Sequence, residues 1–355
     1  MLGRDHAGIM TFTGLYVPLI TPFETTGGVA LDALEQLARD VLAAGARGLV
    51  ALGTTGEPSA LSDAEQQAVV DVAARVCREH SASLIVGSTS ATVPPDVTAR
   101  LVLVPPFVRP GEDGVVAYFA AQAGDVPVIV YHVPYRTGQE LSAGSLRRIA
   151  AVPCVAGIKY AGGGISAATA DLMADPPDGF AVLGGDDAVI SPLLAMGAHG
   201  GILASAHLAT AGFAELIAAW HAGDTVRARA LGNRLAPLSL ALFAEPNPTV
   251  IKGVLHATGR IPSAAVRLPL LPAAPESVQA ALRLLEGLAD RGDQAGGPGV
   301  AVTDHPARHV GEADAVLVVA ERELAARAVV AEAALPQQGT EAGGVEQEAG
   351  SPAGR

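Results

Sequence analysis

The chain has 355 residues, half of them hydrophobic, and a formal net charge of −13, which suits one large α/β domain or two smaller ones. The acidity argues against nucleic acid and anionic membrane surfaces as partners, and no window offers the ~18 uninterrupted apolar residues of a membrane span. Cys77 and Cys154 lie far apart with no CxxC spacing, and the opening MLGRDHAGIM lacks a signal-peptide core, so the expectation is a cytoplasmic protein.

Strand-like and helix-like runs alternate from the start. GLYVPLI (14–20) reads as a strand and LDALEQLARDVLAAG (31–45) as an amphipathic helix stopped by Gly45. RGLVALG (47–53) is a strand, and residues 62–80 form a helix with Ser62 as N-cap and Glu65 completing a capping box. Further strands are expected over 83–88, 100–106, 126–134, 155–161, 180–185 and 200–205. Most are continuous apolar runs, as in a parallel sheet buried on both faces. Eight strands with intervening helices point to an α/β fold, a (β/α)8 TIM barrel. The rival, an open doubly wound sheet, normally shows an early glycine-rich phosphate turn, and neither GxGxxG after the first strand nor GxxxxGK[ST] occurs here.

After residue 209 helical segments run without strands, over 210–223, 224–244, 248–259 and 275–292. The expected organisation is an N-terminal extension (1–11), a barrel (12–209), a C-terminal helical appendage (210–292) and a partly disordered, low-complexity tail (293–355) with one helix over 312–335.

In such a barrel the C-terminal strand ends carry the chemistry. They read GTTGE (53–57), YHVPYRTG (131–138), GIKYAGG (157–163) and GGDD (184–187). Lys159 stands out, because a lysine inside an apolar strand needs a partner or a purpose. Desolvation disfavours an ammonium, and a neutral amine adds to a ketone to give an imine. The structural alternative is an ion pair to Asp186 or Asp187, and burial alone does not choose between them. Tyr131 ends the preceding strand, where its phenol could shuttle protons or serve as hydrogen-bonded core. Thr54 and Thr55 suit a small carboxylate, though GTTGE also fits a turn in which Glu57 accepts from backbone donors. Arg136 could clamp a carboxylate or lie solvated on a loop. The glycines at 162–164 are expected to keep the site open.

Together these stretches resemble the dihydrodipicolinate synthase / N-acetylneuraminate lyase family of class I pyruvate aldolases. YHVPYRTG is similar to the family's Y-N-V-P-x-R-T-G and GIKYAGG to its G-I-K motif, with EPNPTVIK (245–252) and VRLPLLP (266–272) in the expected order. The resemblance spans about residues 12–286. It implies that Lys159 forms a Schiff base with pyruvate and that Tyr131 relays protons with Thr54. It also implies that Thr55 binds the pyruvate carboxylate, that Arg136 holds the second substrate's carboxylate, and that Gly185 and Ile202 belong to the substrate-binding set. No cofactor and no metal is implied. The partners implied are small molecules, pyruvate and an aldehyde, with a homo-oligomer, tetramer or dimer, as the assembly. RTG after the tyrosine motif favours the synthase branch, which condenses pyruvate with aspartate semialdehyde.

Several positions depart from the family pattern. Phe107 in VPPF stands where the synthases carry the second tyrosine of T-P-Y-Y, which reaches the neighbouring subunit's site; Phe107 has no hydroxyl to pass a proton. The 13 residues Ser88–Arg100 link two strands and contain Pro94 and Pro95, leaving room for one or two helical turns. Asp63, Gln66, Ala91 and Pro95 occupy the positions of the feedback-lysine site, so no lysine control is expected, and His132 replaces the usual Asn. Two other readings stay open: a related aldolase or dehydratase acting on another 2-oxo acid and aldehyde, and a non-catalytic 2-oxo acid sensor.

Overall fold

The computed structural model describes residues 3–4, 10–88, 93–122 and 124–290. The eight expected strands all form, seven of them shortened within their expected bounds and β4 starting one residue early: β1 (Gly14–Pro18), β2 (Gly48–Ala51), β3 (Ser83–Gly87), β4 (Ala99–Leu103), β5 (Val128–His132), β6 (Val155–Tyr160), β7 (Ala181–Gly184) and β8 (Gly200–Ile202). They pair in parallel in chain order and close into a barrel, with β8 returning to β1 through Gly200 opposite Gly14 and Ile202 opposite Tyr16. At this seam a Cβ on Gly200 would stand 2.0 Å from the Gly14 carbonyl oxygen, so only glycine fits.

Alternate residues of each strand point inward and outward. Tyr16, Val50, Ile85, Ile129, Leu183 and Ile202 fill the barrel interior. Val17, Leu49, Leu84, Val130, Ile158 and Val182 pack outward under the helices. Both faces are therefore dry, which is why the strands read as unbroken apolar runs.

The surrounding helices are α1 (Leu31–Ala43), α2 (Asp63–Glu79), α3 (Gly111–Ala120), α4 (Ala143–Ala150), α5 (Ala167–Ala174), α6 (Ile190–Ala195), α7 (Ala206–His221), α8 (Thr225–Leu242), α9 (Thr249–Ala257) and α10 (Pro275–Asp290). The capping box of α2 is present: Ser62 Oγ accepts from the Glu65 N–H at 3.3 Å, and Glu65 Oε2 accepts from the Ser62 N–H at 2.9 Å. Between β3 and β4 the described residues 93–98 hold no helical turn. The helix α7, which packs on β1, runs through residue 209 with a kink at Ala209. Next to that kink His207 is buried and bridges two elements. Its Nε2 accepts from the Ile20 N–H at 3.2 Å and its Nδ1 donates to the Ala204 carbonyl at 2.9 Å. Burial pulls its pKa down to about 4.

The helices α8 to α10 share an apolar core with the end of β1, built on Ile20, Leu37, Leu238, Val250 and Val254. Of the N-terminal extension the structure describes a two-residue ribbon, Gly3–Arg4 against Met10–Thr11. The tail with its expected helix over 312–335 lies outside the described residues, as does Ala91. No described helix is long and apolar enough to cross a membrane.

Candidate active site

Lys159 sits on β6 in register with Tyr131 on β5 and Leu183 on β7. It is 7% exposed, and its Nζ lies 4.4 Å from the centre of the Tyr131 ring. Among the described residues it makes no ion pair, so the pairing to Asp186 or Asp187 is not formed. Those carboxylates are held elsewhere: Asp186 Oδ2 accepts from the Gly163 N–H at 2.7 Å, and Asp187 Oδ2 from the Ser205 N–H at 2.6 Å. Burial raises both carboxyls, Asp187 to about 6, while the charge of Lys159 pulls the other way.

The glycine that clears the lysine is Gly185. A Cβ there would meet Lys159 Cε at 2.8 Å and Cγ at 2.9 Å. Gly163 and Gly164 instead face open space with φ of +84° and +151°. Their task is conformational, letting the chain turn so that Gly163 reaches Asp186. Gly162 packs by the Tyr160 ring, 3.0 Å from where its Cβ would stand, and none of the three lines the cleft, so the expectation that they keep the site open is corrected in favour of Gly185.

The β2 end forms a tight turn over Thr54–Gly56. Thr54 is exposed, whereas Thr55 is buried and its Oγ1 accepts from Asn247 Nδ2 at 2.9 Å. Glu57 follows with φ +54° and enters a buried ion pair with Lys252 at 2.7 Å, both side chains almost wholly covered. Its second oxygen accepts from the Arg267 N–H at 2.8 Å, the backbone-donor role expected for Glu57. The Arg267 guanidinium binds Glu65 at 2.6 and 2.8 Å, and the Phe23 ring lies 4.0 Å from Lys252 Nζ and 4.4 Å from Arg267 Cζ. Desolvation lowers the Lys252 pKa to about 8 against the pull of Glu57, while Arg267 holds Glu65 down at about 2.

Thr54, Tyr131 and Arg136 line one cleft of about 580 Å3. Its other walls are mostly apolar, with Leu103 from β4 and Pro246, Leu268 and Leu270 from the C-terminal region. Arg136 is exposed on the single turn Pro134–Thr137, its guanidinium 5.5 Å from the Tyr135 ring. Lys159, Thr55 and Gly185 lie outside the cleft lining, Lys159 beside the Tyr131 ring and Gly185 against Lys159. Ile202 does not line the cleft; it is fully buried in the barrel interior. His132 is buried and held neutral, its pKa lowered to about 4 by desolvation, with its ring 5.6 Å from that of Tyr160. Phe107 has φ +69°, is 89% exposed and does not line its own chain's cleft.

Sequence reasoning singled out neither Asn247, Lys252 nor Arg267. For Lys252 the signal was present, since TVIKGVL embeds a lysine in an apolar helix as VAGIKYA embeds one in an apolar strand.

Residues 11–287 match the model of the dihydrodipicolinate synthetase family. The chain is 38% identical over 296 residues to 4-hydroxy-tetrahydrodipicolinate synthase of Symbiobacterium thermophilum, covering 79% of this chain and 99% of that one. It is 33% identical over 276 residues to 4-hydroxy-tetrahydrodipicolinate synthase 2 of Clostridium acetobutylicum, covering 74% of this chain and 96% of that one. Among solved structures, the chloride-inhibited dihydrodipicolinate synthase of Acinetobacter baumannii complexed with pyruvate superposes with a TM-score of 0.73 at 32% identity, covering 79% of this chain and 99% of that one. The closed eight-stranded barrel, with Lys159 buried against the ring of a cleft-lining tyrosine, agrees with relatives matched along nearly their whole length, and this chain belongs to the dihydrodipicolinate synthetase family.

Proposed function

We propose that the chain is a Schiff-base aldolase that condenses pyruvate with aspartate semialdehyde to 4-hydroxy-tetrahydrodipicolinate. One observation carries the reading: Lys159 is buried, bound to no carboxylate, and lies against the Tyr131 ring at the wall of the cleft. In this scheme the Lys159 amine adds to the pyruvate ketone and water leaves, giving an imine. Loss of a methyl proton gives the enamine, whose carbon attacks the aldehyde carbon of the semialdehyde, and the new alkoxide takes up a proton. The semialdehyde's amino group then attacks the imine carbon and frees Lys159, so one water is released overall. In this reading Tyr131 and Thr54, both on the cleft wall, carry protons between solvent and the reacting atoms, Thr55 binds the pyruvate carboxylate, and Arg136 binds the acceptor's carboxylate.

The test is borohydride reduction in the presence of pyruvate. A reduced pyruvyl adduct should appear on Lys159 by mass spectrometry, and a folded sample that gains none would sink the mechanism. Phe107 favours a second reading, in which another aldehyde is the acceptor, because no tyrosine hydroxyl is available at that position. Phe107→Tyr should raise the condensation rate with aspartate semialdehyde if the synthase reading holds. If neither wild type nor variant condenses it, the acceptor is a different aldehyde.

We also propose self-association as a dimer or tetramer. Phe107 and the adjacent Val108 are 89% and 75% exposed, an apolar pair suited to being covered by a second copy.

A further inference from the structure

We infer that Asn247 is a positioning residue that sets the direction in which the Thr55 hydroxyl donates its hydrogen bond. The inference rests on the proposed reading of Thr55 as a ligand of the substrate carboxylate. A threonine hydroxyl has one hydrogen and two acceptor positions. Asn247 Nδ2 fills an acceptor position of Thr55 Oγ1 at 2.9 Å, and among the described residues no other group bonds that oxygen. The hydroxyl hydrogen therefore points away from Asn247. A carboxylate accepts and cannot donate, so a Thr55 turned the other way would meet it with lone pairs.

The geometry holding this contact comes from outside the barrel. Thr55 and Asn247 are 192 positions apart. They are brought face to face because Glu57, two residues after Thr55, is locked to Lys252, five residues after Asn247, by the buried ion pair. Asn247 also lines the cleft between Pro246 and the β2 loop. Its Oδ1 is buried with no hydrogen-bond partner, so on the described side chains the amide is committed to Thr55 alone.

The experiment measures the pyruvate concentration for half-maximal borohydride trapping of the full chain in two backgrounds. In wild type, Asn247→Ala should raise it about tenfold, the loss of one oriented hydrogen bond, with the maximal trapping rate little changed. Asn247→Asp, nearly isosteric, should raise it about a hundredfold, because an acceptor now draws the hydroxyl hydrogen towards itself. In a Thr55→Val background Asn247→Ala should add nothing. An equal effect of Asn247→Ala in both backgrounds, or an Asn247→Asp no worse than Asn247→Ala, overturns the inference while leaving Thr55 a ligand. An unchanged half-saturation for Thr55→Val alone overturns the reading of Thr55 itself, and the inference with it. Circular dichroism and thermal unfolding separate these outcomes from loss of fold.

Discussion

A single methyl group tests the seat of the reactive lysine. Gly185→Ala places a Cβ within 3 Å of the Lys159 stem, and that stem is flexible, so it moves and the fold survives. The expected result is a melting temperature within a few degrees of wild type and a pyruvate-trapping rate at least about tenfold lower, since an amine displaced by about 1 Å loses its attack geometry. Gly87→Ala is the contrast. Its Cβ would lie 2.2 Å from the Leu52 carbonyl oxygen, which is backbone and cannot swing aside, so this variant should lose stability instead. A melt and a trapping assay on the same two samples decide the matter. Lys159 was legible in the sequence because a charge among apolar residues demands a reason. Asn247 and Arg267 lie in the stretches EPNPTVIK and VRLPLLP, yet their roles were not legible, because these rest on contacts 192 and 210 positions away that no local pattern encodes.

Between elements the main joint is the fully buried pair Glu57–Lys252, which ties the β2 loop to α9. Lys252→Met removes one partner and strands a carboxylate in the interior, which typically costs about 3–5 kcal/mol. Urea unfolding should show this loss, and adding Glu57→Gln should restore part of it. His207 links the end of β1 to α7 and imposes a pH dependence. Its unfolded value is 6.5 and its folded value about 4, so between those limits the unfolded chain holds a proton that the folded chain refuses. Stability is therefore retained above 6.5 and lost as the pH falls towards 4. A proton on Nε2 would also face the Ile20 N–H donor with a second donor. The urea midpoint should drop between pH 7 and pH 5, and His207→Gln should reduce that slope, leaving the share of His132, whose buried ring is lowered to about 4 in the same way. Elements with local signals were read correctly, the capping box of α2 above all. The kink at Ala209 was not read from the sequence, although Ser205, Thr210 and Gly212 around it are weak helix formers.

For the molecule as a whole, the barrel was legible because eight apolar runs at regular spacing have few other ways to bury both faces. The cleft was only half legible. Strand ends supply Thr54, Tyr131 and Arg136, but the facing wall comes from residues 246–247 and 267–270, whose position depends on how α8 to α10 fold back. Self-association is checked by light scattering at micromolar concentration: the wild type should exceed the monomer mass, and Phe107→Asp with Val108→Asp should lower it. A monomeric wild type would remove the proposal. The seam between Gly200 and Gly14 bears on synthesis. The first strand to leave the ribosome finds its second neighbour only when residues 200–202 emerge. Until then both β1 and the newest strand expose unpaired edges, a template for pairing with other nascent chains. Stalled chains ending just before Gly200 should thus recruit chaperones and resist release as soluble protein, whereas chains extended past the α7 helix should be released soluble.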